Sequence, residues 1–300
     1  MALAEIPLCI WRKRAQTFDF RGQTIRYWTA GQGEPLMLIH GFPSASWDWH
    51  YLWQPLAQRY RVIACDMLGF GDSAKPVNHE YSLLEQADLQ QALLEHLNVT
   101  QPVHLLAHDY GDSVAQELLA RHYESSIQVA SCVFLNGGLF PETHRPVLIQ
   151  KLLLSPLGWM IGRAFSRDGL VKSFNQIFGP KTLPTESEMD DFWSLIESNH
   201  GPRIMHKLIT YIPERRVQRE RWVGAMQRGE IPLRVIDGEV DPISGAHMVA
   251  RYRELIPNPD AVLLSGIGHY PQIEAPCQVL KYYLEFRDRQ ISPSLKVACS

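Results

Sequence analysis

Leu105-Leu106-Ala107-His108-Asp109-Tyr110-Gly111 is the stretch on which the rest of the chain turns. The apolar run from Pro102 to Ala107 reads as a short buried strand. A helical pattern follows at once, with Val114, Leu118 and Leu119 at helical spacing and Gly111 and Asp112 at its start. The join has the form small-x-nucleophile-x-small, Ala107 and Gly111 being the small positions. That is the pattern of the G-x-S-x-G elbow, a sharp strand-to-helix turn with room for little beyond hydrogen or methyl beside the nucleophile. Here the central residue is Asp109 in place of serine.

This substitution narrows the chemistry. A serine has to lose a proton before it attacks, which suits acyl transfer with a histidine base. A carboxylate is already ionised and needs no base, but it is a modest nucleophile. On an acyl carbon it would give a labile anhydride. On a saturated carbon with a good leaving group it gives an ordinary ester. Asp109 at this turn therefore points to epoxides or alkyl halides. Its purely structural alternative is a cap on the helix that begins near Gly111.

On the N-terminal side, Gln16 to Phe20 and Gln23 to Thr29 flank Arg21-Gly22 as a hairpin. Pro35 to Ile39 is an apolar strand ending in His40-Gly41-Phe42-Pro43. Trp47 to Tyr60 carries apolar residues at helical spacing, Arg61 to Cys65 is another buried strand, and Asp66 to Ser73 is a loop. Ser82 to Leu97 reads as an amphipathic helix. Beyond the elbow, Val129 to Leu135 is a strand closed by Asn136-Gly137-Gly138. Such alternation argues for a parallel sheet covered on both faces.

The pattern then stops. From Phe140 to about Gly229 only helical stretches occur, broken by prolines from Pro141 to Pro213. The arginines at 215, 216, 219 and 221 read mostly as a solvated helix face. Alternation resumes with Leu233 to Ile236 as strand, Ala246 to Leu255 as helix, Ala261 to Leu264 as strand and Pro276 to Gln290 as the last helix. One α/β core over residues 1–140 and 230–300 is thus interrupted by a helical lobe, 141–229. A lid over the carboxyl edge of the sheet would exclude water from a site there.

The 300 residues are 45% hydrophobic and 20% charged, an ordinary globular composition sufficient for one large core with an inserted lobe. A net charge of −3 gives no support to a nucleic-acid or membrane-surface role. Cys9, Cys65, Cys132, Cys277 and Cys299 are scattered and odd in number, which fits neither a metal site nor a disulfide framework and suits a reducing cytoplasm. The apolar stretch Ile6 to Trp11 precedes its charges, the wrong order for a signal peptide, and is too short to span a bilayer.

Two features lie where the elbow needs them. Asp241, in Gly238-Glu239-Val240-Asp241-Pro242, follows one strand; His269, in Gly266-Ile267-Gly268-His269-Tyr270-Pro271, follows the next. Taken singly they read as a turn residue and a loop histidine. The order nucleophile, acid, histidine at three strand ends is that of α/β hydrolases. With the H-G-F-P loop, the H-D-x-G elbow, the D-P loop and the G-H turn, the chain resembles the Asp-nucleophile α/β hydrolases, the epoxide hydrolase and haloalkane dehalogenase group. The segments Asp109 to Leu119, Asn136 to Pro146 and Arg221 to Ala225 resemble the mesoderm-specific transcript family more closely.

The resemblance implies an α/β-hydrolase fold: a mostly parallel eight-stranded sheet flanked by helices, with an inserted helical cap. It implies that Asp109 attacks carbon, that Asp241 orients His269, and that His269 activates water against the resulting ester. Backbone N–H groups of Phe42 and Tyr110 would form the oxyanion hole, aided by a cis bond before Pro43. His40, Pro43, Tyr110, Tyr211 and Trp222 are the candidates to line a substrate pocket. His40, His104 and His108, by their strand settings, read as hydrogen-bonding or packing residues, and Asp66 and Asp72 as supports of their loop. His144, His200 and His206 lack metal-ligand spacing.

Two departures stand out. Haloalkane dehalogenases place a tryptophan directly after the nucleophile and a second Trp or Asn donor in the cradle; here those positions are Tyr110 and Phe42. Epoxide hydrolases use two lid tyrosines, one after a tryptophan at the lid's end; that position is Val223, leaving Tyr211. Tyr110 is either a substitute donor or an aromatic wall. The leading expectation is a cofactor-independent hydrolase opening an epoxide through an Asp109 ester. The alternatives are hydrolytic dehalogenation and a non-catalytic ligand-binding or regulatory homologue. The expected partners are a small hydrophobic substrate and water, with no metal, cofactor, nucleic acid or membrane, and either a monomer or a homodimer.

Overall fold

Each run that reads as a buried strand becomes one in the computed structural model, which describes residues 3–297. After α1 (Leu8–Lys13), the chain forms the hairpin β1 (Gln16–Phe20) and β2 (Gln23–Ala30), with Arg21 and Gly22 at positive φ in the turn. Then come β3 (Pro35–Ile39), the short helix α2 (Trp53–Ala57), β4 (Arg61–Cys65), α3 (Leu83–His96), β5 (Val103–His108), α4 (Tyr110–His122) and β6 (Val129–Leu135). The strand pattern is interrupted by α5 (Leu148–Leu153), α6 (Gly158–Ala164), α7 (Arg167–Ile177), α8 (Glu186–Glu197), α9 (Met205–Leu208), α10 (Tyr211–Val217) and α11 (Arg219–Gln227). The chain closes with β7 (Leu233–Gly238), α12 (Ala246–Leu255), β8 (Ala261–Leu264), α13 (Pro271–Glu274) and α14 (Pro276–Val297).

The eight strands lie in the order β1-β2-β4-β3-β5-β6-β7-β8. β2 pairs antiparallel with β1 and β4, and the remaining pairs are parallel. Helices cover both faces, so β3 and β5 are buried along their whole length and read as continuous apolar runs instead of alternating ones. Strand order reverses between β3 and β5. The crevice outside their carboxyl ends is where open α/β sheets place their ligands, and the Gly41-Phe42-Pro43 loop and Asp109 both lie at those ends.

The N-terminal apolar stretch is part of this core. Trp11 stacks on Trp28 and meets Trp53 edge-on. Trp28 Nε1 donates to the Trp11 carbonyl at 2.7 Å, and Trp47 Nε1 to the Ile6 carbonyl at 2.9 Å. The helix expected from Trp47 to Tyr60 does not form as one piece. A 3-10 turn over Ser46–Trp49 precedes α2. Asp66 pins the turn through the Ser46 N–H and hydroxyl, and the His50 ring takes the Trp47 carbonyl at 2.7 Å. Side chains thus supply bonds that a continuous helix would have made with its backbone. Cys65 and Cys132 are buried in β4 and β6 and form no disulfide; Cys299 lies outside the described residues.

Candidate active site

Asp109 sits between β5 and α4 at φ 47° and ψ −104°, a positive φ that non-glycine residues rarely adopt. The turn is that tight because two backbones nearly touch. A Cβ on Gly111 would lie 2.4 Å from the Ile39 carbonyl oxygen and 2.6 Å from that of His40. One on Gly41 would lie 2.6 Å from His108 Nδ1 and 3.0 Å from the Asp109 Cβ. The Asp109 N–H donates to the Leu135 carbonyl at 3.1 Å, which ties the elbow to the end of β6.

The Asp109 carboxylate is buried and held on both oxygens. Oδ2 accepts the Phe42 N–H at 3.2 Å and lies 4.0 Å from His269 Nε2. Oδ1 lies 3.5 Å from Arg215 Nη2, which also donates to the Asp109 carbonyl at 2.8 Å. Burial alone would raise this carboxyl's pKa. The charges of His269, Arg215 and His108, with the Phe42 N–H, outweigh it and hold the group below its usual value.

Asp241 follows β7 and has no unused oxygen. Oδ1 accepts the Ile243 N–H at 2.8 Å; Oδ2 accepts from the Ser244 N–H, from Asn136 Nδ2 at 2.9 Å and from His269 Nδ1 at 2.8 Å. Burial is again the largest influence and upward, but His269 and these donors bring the pKa below normal. Asn136, at φ 44°, also receives the Gly238 N–H on Oδ1 at 2.7 Å, so it joins the ends of β6 and β7. For His269, burial lowers the pKa, and the charge and hydrogen bond of Asp241, then the charge of Asp109, raise it to about 9. The resting trio is therefore an imidazolium between two carboxylates.

A narrow apolar cavity of about 40 Å³ opens beside His269, between Phe42, Pro43 and Ile243 on the sheet side and Gln150, Leu153 and Phe174 on the helices. A wider surface recess, about 600 Å³, is lined by Arg163, Glu197, His200, Pro202 and Arg203 and contains no member of the trio.

Asp109, Asp241, His269, Phe42 and Pro43 thus converge, and the Phe42–Pro43 bond is cis. The Tyr110 N–H opens α4, where no intrahelical acceptor is available to it. Tyr211 is buried against Phe42 and Tyr110; its hydroxyl oxygen accepts from Gln150 Nε2 at 3.4 Å, leaving its own proton to donate. Burial and the Asp109 charge push its pKa up, so it is a neutral donor.

Three candidates for the substrate pocket go elsewhere. Trp222 Nε1 donates to Glu117 on α4 at 2.8 Å, a contact that anchors α11 to the core. His40 spends both ring nitrogens, donating from Nδ1 to the Gly41 carbonyl at 2.8 Å and accepting the Met67 N–H on Nε2 at 3.0 Å. The Tyr110 ring is a wall between Phe70 and Tyr211, and its hydroxyl meets Gln86.

Sequence reasoning missed Arg215. It is buried on α10, bonds Ser113 Oγ through Nε at 2.6 Å and lies over the Tyr211 ring at 4.5 Å. Its Nη1 has no partner, and a Cβ on Gly138 would fall 2.5 Å from it and 3.3 Å from His144 Nδ1. The signal was its i, i+4 spacing from Tyr211, which puts both on one helix face. Arg219 and Arg221 do lie toward the surface, paired with Glu142 and with Glu117 and Glu124. Among the described residues no group of three or more His, Cys, Asp or Glu side chains is placed to hold a metal ion, and no helix is long and apolar enough to cross a membrane.

Residues 34–276 match the model of the alpha/beta hydrolase fold family. The chain is 41% identical to the mesoderm-specific transcript protein of Mus musculus, over 92% of this chain and 86% of that one. It is 26% identical to a cis-3-alkyl-4-alkyloxetan-2-one decarboxylase of Shewanella oneidensis, over 88% and 85%. Among solved structures, the epoxide hydrolase CorEH superposes with a TM-score of 0.75 at 21% identity, covering 92% of this chain and 99% of that one. A haloalkane dehalogenase variant, DbeA-M1 from Bradyrhizobium elkanii, does so at 0.75 and 19%, covering 93% and 99%.

Proposed function

The chain belongs to the alpha/beta hydrolase fold family, among relatives of the mesoderm-specific transcript proteins, and from that membership we propose that it opens a strained cyclic ether through an ester on Asp109. The observation that carries this reading is the carboxylate at the elbow, with Oδ2 on the Phe42 N–H and His269 4.0 Å away. Asp109 Oδ1 attacks a saturated ring carbon, the C–O bond of the ring breaks, and the oxygen leaves as an alkoxide. Tyr211 gives that oxygen its proton and recovers one from the His269 imidazolium.

Charge bookkeeping makes the second step follow from the first. The Asp109 charge is one cause of the raised His269 pKa. Once Asp109 is an ester that charge is gone, and His269 becomes a better leaving site for a proton. Neutral His269 then takes a proton from water, which adds to the ester carbonyl. The oxyanion is held by the N–H groups of Phe42 and Tyr110; the acyl C–O bond breaks, the departing alcohol oxygen takes the proton from His269, and the new Asp109 carboxyl passes its proton back to His269, restoring the resting trio. In this reading residues 141–229 act as the cap, with Gln150, Leu153 and Phe174 excluding water.

A four-membered cyclic ester is the second reading, and Arg215 favours it. Attack at the saturated carbon of an oxetan-2-one forms the same Asp109 ester and releases a carboxylate, which needs no proton donor. Arg215 offers an unpartnered Nη1 beside Asp109, where a new anion would replace the charge that the ester removes. A haloalkane is less well served. Phe42 has no side-chain donor, Tyr110 meets Gln86 and Trp222 donates to Glu117. A non-catalytic role leaves the complete trio without a use.

A turnover panel of epoxides, oxetan-2-ones and haloalkanes, read as diol, carboxylate or alkene, and halide, tests the proposal. Diol or lactone-derived product is expected, with Arg215→Gln slowing the lactones more than the epoxides. No product from any panel, with ligand binding intact, would overturn it.

A further inference from the structure

The outer face of α5 and α6 exposes large apolar side chains one after another. Leu148 is 68% exposed, Leu157 59%, Met160 49% and Trp159 45%, with Leu152 and Leu154 beside them. Six large apolar side chains within residues 148–160 are thus exposed on two packed helices and their joint, a concentration that a soluble surface carries only where something covers it. The inner face of the same α5 lines the narrow cavity next to His269, through Gln150 and Leu153.

The segment that carries the patch has charges of one sign. Residues 145–164 contain Arg145, Lys151 and Arg163 and no acid, in a chain whose net charge is −3. Arg163 lies over the Trp159 ring at 5.3 Å and also borders the recess of about 600 Å³ that Arg203 and His200 line, with Glu197 as its one acid. An apolar patch holding an indole, rimmed by arginines and backed by a basic recess, has the layout of an interfacial surface.

We propose that the α5–α6 face docks on an anionic phospholipid bilayer, with Leu148, Leu157, Trp159 and Met160 entering the acyl boundary and Arg163 and Arg203 meeting headgroup phosphates. Whole-chain charge hides this because residues 145–164 carry no acid while the rest of the chain is net acidic. Docked in this way, the face brings the cavity wall to the lipid surface, where an apolar substrate would be dissolved. The inference does not depend on which ring Asp109 opens.

Flotation with vesicles of phosphatidylcholine, with and without phosphatidylglycerol, tests it on the full chain. The wild type is expected to float with the anionic vesicles and to be released by salt. Leu157→Ser/Trp159→Ser/Met160→Ser, at an unchanged melting temperature, should cut the bound fraction by at least about tenfold, and Arg163→Gln/Arg203→Gln should abolish the preference for phosphatidylglycerol. Trp159 is the exposed indole among the described residues. Vesicles with brominated acyl chains should therefore quench fluorescence in the wild type and not in Trp159→Leu, a readout that survives any loss of the triple variant. Failure of the wild type to float, or equal quenching of Trp159→Leu, would overturn the proposal. So would a lipid-free dimer that the triple substitution splits into monomers, which would make the face a contact between copies.

Discussion

Tyr211 and His269 carry the finest division of labour in the site. In the proposed reaction an alkoxide far more basic than a carboxylate forms, a donor has to meet it, and the Tyr211 hydroxyl, which accepts from Gln150, has its own proton left to give. Tyr211→Phe is expected to slow formation of the Asp109 ester on an epoxide by about 10²–10³, roughly 2.7–4 kcal/mol, and to leave ester hydrolysis unchanged; single-turnover kinetics separates the steps. Equal rates would remove the tyrosine from the mechanism. His269 also sets a pH dependence of stability. Its folded pKa of about 9 stands above the ordinary 6.5, so the folded state binds the extra proton. The stabilisation is complete below about pH 6.5 and is lost as pH rises through about 9. Melting temperatures of the wild type should therefore fall across that window more steeply than those of His269→Gln, and parallel curves would contradict the ion-paired trio.

The elbow is the element from which the sequence was most legible. Small residues at 107 and 111 around an acid, between a strand and a helix, leave few conformations, and Asp109 adopts the positive φ that such a turn demands. Strand bounds were readable for the same reason: each buried strand is an apolar run ended by turn formers. Less legible were the segments where side chains replace backbone bonds, such as Ser46–Trp49, and those where a polar residue is buried by a neighbouring element. Arg215 reads as surface in a run of arginines; only its approach to Asp109 and Ser113 marks it out. Trp222 reads as pocket, and Glu117 claims it. Gly111→Ala measures how tight the elbow is. A methyl group 2.4 Å from the Ile39 oxygen forces β3 and α4 apart, at an expected cost of about 1–3 kcal/mol in denaturant unfolding. A neutral result would mean that the two backbones are not in contact.

At the scale of the whole molecule, β3, β5, β7 and the β8 turn supply the oxyanion donor, the acids and the histidine, while α5, α7 and α10 bring Gln150, Phe174, Tyr211 and Arg215 over them. On the proposed reading, such a division places the chemistry on the rigid sheet and leaves substrate selection to the helices. It also explains why fold was more readable than substrate. Periodicity and turn residues specify the sheet, whereas the fit between two separately patterned layers has no one-dimensional signature. All of it depends on Asp109 acting as the covalent nucleophile. Attack by a carboxylate needs no base, but hydrolysis of its ester does, so His269→Gln should stop the reaction between the two steps. Intact-protein mass spectrometry of that variant, given a substrate the wild type converts, is expected to show one added substrate mass for an epoxide or lactone, located on the peptide containing Asp109. An unmodified mass, with the wild type still turning the substrate over, would contradict the nucleophilic role of Asp109.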